Sequence, residues 1–215
     1  MEQDTLLTSM IESSDDKKMY DLLCKRLISN KIILAWIMKR CASEYKDSDV
    51  EKIASTYIEG NPIVSSINIA TGELIIGANT ESSGMNEGKI TYDIRYCAIA
   101  PKGDGFVGLL INMEAQNDYY PGYPVVKRGV FHSSRMISQQ YGIDFDKVDY
   151  NKLKKVYSIW LLRNVAQKVE NSITSYDLAE TTHIGHAGQP KDNYDLISVV
   201  MIYLGSDPDD KQPSD

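Results

Sequence analysis

Apolar residues along this chain recur first at helical and then at strand spacing, and the change of period marks out its parts. Ser14, Asp15 and Asp16 offer caps for a first helix, in which Met19, Leu22, Leu23 and Leu27 recur at helical spacing until Ser29 and Asn30 interrupt it. Ile33, Ile37 and Cys41 make the stripe of a second helix, with Leu34, Met38 and Tyr45 beside it; Asp47 to Asp49 cap a third, which Gly60 ends. From Ile63 to Gly84 the apolar residues fall into short clusters around Thr71-Gly72, the pattern of a weak hairpin or an ordered loop.

The period then becomes two. Lys89 to Pro101 alternates, with Ile90, Tyr92, Ile94, Tyr96 and Ala98 on one face and Thr91, Asp93, Arg95, Cys97 and Ile99 on the other. Phe106 to Gln116 alternates as well, and Lys102-Gly103-Asp104-Gly105 supplies the turn between the two strands. Pro124 opens and Gly142 closes a helix over Val125 to Tyr141. Lys154 to Leu162 reads as a buried strand, and Asn193 to Leu204 as a final helix with Leu196, Val199, Val200 and Tyr203 on its apolar face. The expectation is one α/β domain over residues 1–204, helical at about 15–60 with its core at about 85–165, and a polar, disordered tail over 205–215.

Composition narrows the class. Hydrophobic residues at 42% and charged residues at 25% are ordinary globular values. The longest apolar run, Ile32 to Met38, is too short for a membrane span, and the acidic start lacks the blocks of a signal peptide, so a cytoplasmic protein without membrane contact is expected. Three widely spaced cysteines, Cys24, Cys41 and Cys97, suit reduced, mostly buried thiols. A net charge of −7 speaks against a protein that grips nucleic acid through a broad basic surface, although the last ten residues, with four Asp against one Lys, supply three of those charges.

The chemistry lies in the strand pair. Facing residues of an antiparallel hairpin share one sum of residue numbers, and the sum for Asp93 and Glu114, 207, centres the pairing between Gly103 and Asp104, where the turn composition also places it. The two carboxylates then have Cβ atoms roughly 5 Å apart, with Gln116 one pleat further on the same face. Like charges at that distance repel, and a hard divalent cation compensates them while leaving room for phosphate oxygens. The competing reading puts both acids at the solvated rim of a half-buried sheet, neutralised by Arg95 or Arg128; spacing alone leaves the two readings level.

Thr91-Tyr92-Asp93-Ile94-Arg95, Asn112-Met113-Glu114-Ala115-Gln116 and Asp118-Tyr119-Tyr120-Pro121-Gly122-Tyr123-Pro124 closely resemble the PD-(D/E)XK nuclease family transposases, also called the Rpn family of recombination-promoting nucleases. Lys127-Arg128-Gly129, Ser134-Arg135-Met136-Ile137-Ser138, Gln140-Tyr141-Gly142 and the run from Lys154 to Trp160 continue the likeness, which extends over roughly residues 20 to 204. The resemblance implies a restriction-endonuclease-like core, a mixed β-sheet flanked by helices, that hydrolyses DNA phosphodiesters with Mg²⁺ or Mn²⁺. It implies Asp93 and Glu114 as metal ligands and the backbone carbonyl of Ala115 as a third. The broad superfamily usually carries Lys where this chain has Gln116. A neutral amide can orient the attacking water but lends it no charge, so slow or conditional cleavage is expected. Family members often continue with helical sequence past the segment matching Asn193 to Gly205, which leaves a homodimer, and hence double-strand cleavage, open. The alternative is a catalytically weak or inactive DNA- or protein-binding remnant of a mobile element.

Other candidates are weaker. Glu87 is an additional acid within reach of the pair, with Glu44 and Glu59 competing from the helical region. Arg128, His132, Arg135 and Gln139 form one helical stripe, which is either a phosphate track, with Arg128, Arg135 and Gln139 binding DNA, or a solvated polar face opposite Val126, Val130 and Ile137. Lys152, Lys154 and Lys155 either extend that track or form the solvated end of a strand. His183 and His186, with Asp177 and Glu180, sit in a loop-like segment and read as a loop rather than a metal site.

Overall fold

Gly105–Gln116, twelve residues long, is apolar at Leu109, Ile111 and Met113 and turns polar on its other face at Asn112 and Glu114. This strand, β5, lies inside a six-stranded sheet of order β1-β4-β5-β6-β8-β7 in the computed structural model, which describes residues 24–25, 27–60, 63–64, 81–84, 88–91, 93–102, 105–145 and 149–205. Five of the strands are long: β4 (Ile94–Lys102), β5, β6 (Lys155–Leu162), β7 (Ser172–Asp177) and β8 (Ile197–Tyr203); β1 is the two-residue edge Ile63–Val64. β1, β4 and β5 are antiparallel neighbours, β5, β6 and β8 are parallel, and β7 returns antiparallel, so the sheet is mixed. β2 (Glu81–Gly84) and β3 (Gly88–Thr91) form a separate ribbon.

The N-terminal region is helical, as its spacing predicts. Cys24, Lys25, Leu27 and Ile28 are helical, and the Asn30 side chain accepts from the Ile32 N–H to start α1 (Lys31–Cys41). Asp49 caps α2 (Val50–Lys52) through the N–H groups of Glu51 and Lys52, and a π-helical turn, Ile53–Tyr57, continues it. Gly60, at φ 61°, then turns the chain in a conformation that disfavours other residues. Leu34, Ala35, Met38, Tyr45, Ile53 and Tyr57 of this layer pack on Ile94, Tyr96, Leu109, Ile111 and Met113, forming the main core on one sheet face. The other face is covered by α3 (Val125–Gln139), the crossover from β5 to its parallel neighbour β6.

Three expectations change. The final helix over Asn193 to Leu204 is strand β8: a run of β-branched and apolar residues buried on both faces contains helical spacings by default, and its seven residues suit a strand. The alternating stretch from Lys89 breaks into β3 and β4, with Asp93 in a bend between them. β7 was absent from the pattern because its residues are mostly exposed at the sheet edge and carry little alternation. The first helix before Cys24, the hairpin turn at Thr71-Gly72, Glu87 and the tail after Gly205 lie outside the described residues.

Candidate functional site

The antiparallel ladder of β4 and β5 runs from Lys102↔Gly105 to Ile94↔Met113, every pair having the register that places Asp93 opposite Glu114. Asp93 stands one step past the last pair, and its Oδ2 accepts from the Ala115 N–H at 3.1 Å, so its carboxylate takes up the hydrogen bond left at the end of the strand. The N–H and C=O of one strand residue face the same neighbour, whereas the adjacent Gln116 carbonyl accepts from the Arg163 N–H on the β6 side. The Ala115 carbonyl therefore opens toward the gap that Asp93 occupies.

Glu114 is 3% exposed, under α3. Its Oε1 accepts from Asn112 Nδ2 at 3.1 Å and lies 3.4 Å from His132 Nδ1. Burial raises the Glu114 carboxyl above its ordinary range and the charge of Asp93 adds to the rise, while His132 and Arg128 oppose it. Asn112 Oδ1 is buried and makes no hydrogen bond among the described residues. The oxygen atoms gathered at this end of the site are two carboxylates, a carboxamide oxygen and a backbone carbonyl, with the nitrogens of Asn112, His132 and Lys25 against the carboxylates. Such a set fits a hard divalent cation, which takes few carboxylates and keeps waters. Among the described residues no group of three His, Cys, Asp or Glu is spaced to hold a metal, so any ion there rests on the two acids and on carbonyl oxygens. Asp93 already has one cation, since Lys25 Nζ lies 3.1 Å from its Oδ1.

Gln116 is held at both ends, its Nε2 donating to the Asp118 carbonyl at 3.0 Å and its Oε1 accepting from Arg128 Nη1 at 3.4 Å. The Arg128 guanidinium also lies 5.2 Å from the centre of the Trp160 ring. α3 can come this close because position 129 is glycine: a Cβ there would stand 2.6 Å from Val199 Cγ1 and 3.0 Å from Trp160 Nε1.

The polar stripe of α3 faces inward, which corrects the solvated-face reading. His132 and Arg135 are buried, Gln139 accepts from Arg95 Nη1 at 2.9 Å, and the exposed residues are Lys127, Val130, Phe131, Ser134 and Ser138. Helical amphipathicity assigns the polar side to water, but the sheet face opposite is itself polar, with Arg95, Asn112, Glu114 and Ser158 buried there. As a track for phosphate, Arg135 is out of reach and Gln139 is committed to Arg95, which leaves Arg128 beside Gln116.

The lysines read either as an extension of that track or as a solvated strand end are paired. Lys152 meets Asp149 at 3.2 Å, Lys154 meets Asp144, and Lys155 lies between Glu44 at 3.2 Å and Asp195 at 2.9 Å. Glu44 also accepts from the Tyr157 hydroxyl at 2.6 Å on the face covered by the N-terminal helices, so it is not an acid of this site. Glu59 is exposed, and His183 and His186 are exposed in the loop after β7. A cavity of about 600 Å³ among Leu178, Glu180, His183, Ile184 and Tyr194 includes neither Asp93 nor Glu114. Burial pushes the Cys41 thiol up to about 12 and raises Cys97, which suits thiols without chemistry. Of the described helices, none is long and apolar enough to cross a membrane.

Sequence spacing missed Lys25, Asn112 and His132 as members of this cluster. Asn112 and His132 carried a usable signal, being the polar positions two residues before Glu114 and one turn after Arg128. Comparison with family models, curated proteins and solved structures gives no match to this chain.

Proposed function

We propose that the chain is a metal-dependent DNA endonuclease with a restriction-endonuclease-like core, acting in transposition or recombination. Asp93, Glu114 and the Ala115 carbonyl would hold Mg²⁺ or Mn²⁺. The observation that carries this reading is the hydrogen bond from the Ala115 N–H to Asp93, because it keeps one carboxylate beside a second, buried one at the end of β5. A bound divalent cation supplies the charge that makes two neighbouring carboxylates tolerable and activates water toward a phosphodiester.

The protein's own groups do the rest. Asp93 and Glu114 fix where the positive charge sits, and Asn112 and His132 fix the Glu114 carboxylate from behind. Gln116, tied between Asp118 and Arg128, is a rigid polar group that orients the attacking water by hydrogen bonds. The water oxygen bonds to phosphorus as the bond to one sugar oxygen breaks, leaving a phosphate monoester and a free hydroxyl. Arg128, half-buried on Trp160, offers the phosphate a local positive contact on a chain whose net charge is −7. On this reading the protein works on cytoplasmic DNA, and a homodimer would set two such centres on two strands.

One observation favours a second reading, a DNA- or protein-binding remnant that does not cut: Lys25 already compensates Asp93 without any metal. Nicking of supercoiled plasmid in the presence of Mg²⁺ separates the two. Wild type nicks and Asp93→Ala does not; equal rates from the two proteins refute the nuclease.

A further inference from the structure

Lys25 and Lys155 are the two buried lysines among the described residues, and Lys25 is the one beside Asp93. It sits on the helical segment that precedes α1, its side chain is 9% exposed, and its Nζ lies 3.1 Å from Asp93 Oδ1. Removing an ammonium from water is costly, and lysines are among the residues least often buried unless they are paired. Asp93 does not need the pairing in order to stay in place, because its other oxygen is already bonded to the Ala115 N–H. Two separate parts of the chain thus converge on one carboxylate, one fixing it and one bringing positive charge to it.

The other polar groups at the end of β5 are neutral or already engaged. Gln116 is neutral, and Arg128 divides its guanidinium between the Gln116 amide oxygen and the Trp160 ring. His132 lies on the inner side of Glu114, beneath α3. Among these groups Lys25 is the cation in direct contact with Asp93.

We propose that Lys25 is the lysine of the active centre, delivered by the N-terminal helical segment to the carboxylate pair and doing there the electrostatic work that neutral Gln116 does not. It acts as a positioning residue: through Asp93 it holds an ammonium next to the place where negative charge gathers on the phosphate and the incoming water oxygen. This inference rests on the nuclease reading and goes beyond it, because it makes the N-terminal segment part of the catalytic centre. The core strands alone would then be an incomplete enzyme.

The test uses the full chain with three variants, Lys25→Met, Lys25→Arg and the double variant Lys25→Met/Gln116→Lys. Each is checked by thermal unfolding, by calorimetric Mg²⁺ titration without DNA, and by steady-state plasmid nicking. Lys25→Met is expected to bind Mg²⁺ at least as tightly as wild type, since a competing cation has been removed from Asp93. Its kcat is expected to fall about 100-fold with KM changed less than about threefold, the scale seen when one preorganised charge-stabilising group is lost. The double variant is expected to recover at least about tenfold of that loss, because a lysine at position 116 restores charge at the same centre. A Lys25 that merely props Asp93 in place would instead weaken Mg²⁺ binding when removed and would not be rescued from position 116; either result overturns the proposal. So does Lys25→Met nicking like wild type, which leaves the nuclease standing without this residue. If Lys25→Met does not fold, Lys25→Arg decides: it keeps the charge and must retain more than about a hundredth of the wild-type kcat. Wild-type protein that shows no Asp93-dependent nicking takes down the nuclease reading and this inference together.

Discussion

The two faces of the β4–β5 pair are built from alternate residues of the same strands, yet they follow opposite rules. On one face Ile94, Tyr96, Leu109, Ile111 and Met113 meet the N-terminal helices in a core of aliphatic side chains and tyrosine rings. On the other, Asn112, Glu114, His132, Arg135 and Ser158 are buried together beneath α3. Apolar burial stabilises in proportion to area, whereas a buried carboxylate costs free energy unless its partners are complete. The first face explains why the chain folds. The second keeps a carboxylate where folding alone would not put one, and it lies at the same strand end as Asp93.

Truncation on the apolar face should give the largest change. Ile111→Ala removes a fully buried side chain at the centre of the core and should lower stability by about 2–5 kcal/mol in urea unfolding. Mg²⁺ binding by the protein that remains folded should be unchanged, because that side chain points away from the carboxylates. Loss of metal binding in folded Ile111→Ala would show that the faces are not independent.

Next comes the seam between α3 and the sheet. Gly129→Ala puts a methyl group 2.6 Å from Val199 Cγ1 and should cost about 1–3 kcal/mol, read from the shift in the unfolding midpoint. Since α3 carries Arg128 and His132, the nicking rate should fall as well, although neither residue is altered. An unchanged rate would mean that the helix does not position the site.

The smallest signal is a slope with pH. The folded-state pKa of Glu114 is raised above its ordinary 4.5, so the folded protein holds this proton more tightly than the unfolded chain. Stability of the metal-free protein should therefore fall as pH rises from about 4.5 through the raised value, where the buried carboxylate must ionise. Glu114→Gln should flatten that part of the curve and be at least as stable as wild type above it. A curve identical in the two proteins would show Glu114 to be fully compensated by its neighbours.

How much of this was legible in the sequence depended on how local the signal was. The β4–β5 register was readable because strict alternation assigns each residue a face and the turn between them admits one centre, although Asp93 itself stands in a bend one step past the last pair. The strand β8 was not, because a continuous apolar run satisfies helical and strand spacing alike. The inward turn of His132 and Arg135 was hidden for a related reason: amphipathicity reports which face of a helix is polar, and only the opposing sheet decides whether that face meets water. Lys25 was the least legible of all. Its significance comes from an ion pair with a residue on a different element, and no periodicity in either segment announces that contact.

Calorimetric titration of the metal-free protein with Mn²⁺ decides whether the Asp93 and Glu114 carboxylates form one cation site at the end of β5. Wild type should bind, Asp93→Asn and Glu114→Gln should each lose nearly all of that heat, and Glu44→Gln, whose carboxylate lies on the other face, should lose none of it. Equal heats from wild type and Asp93→Asn would contradict a shared site.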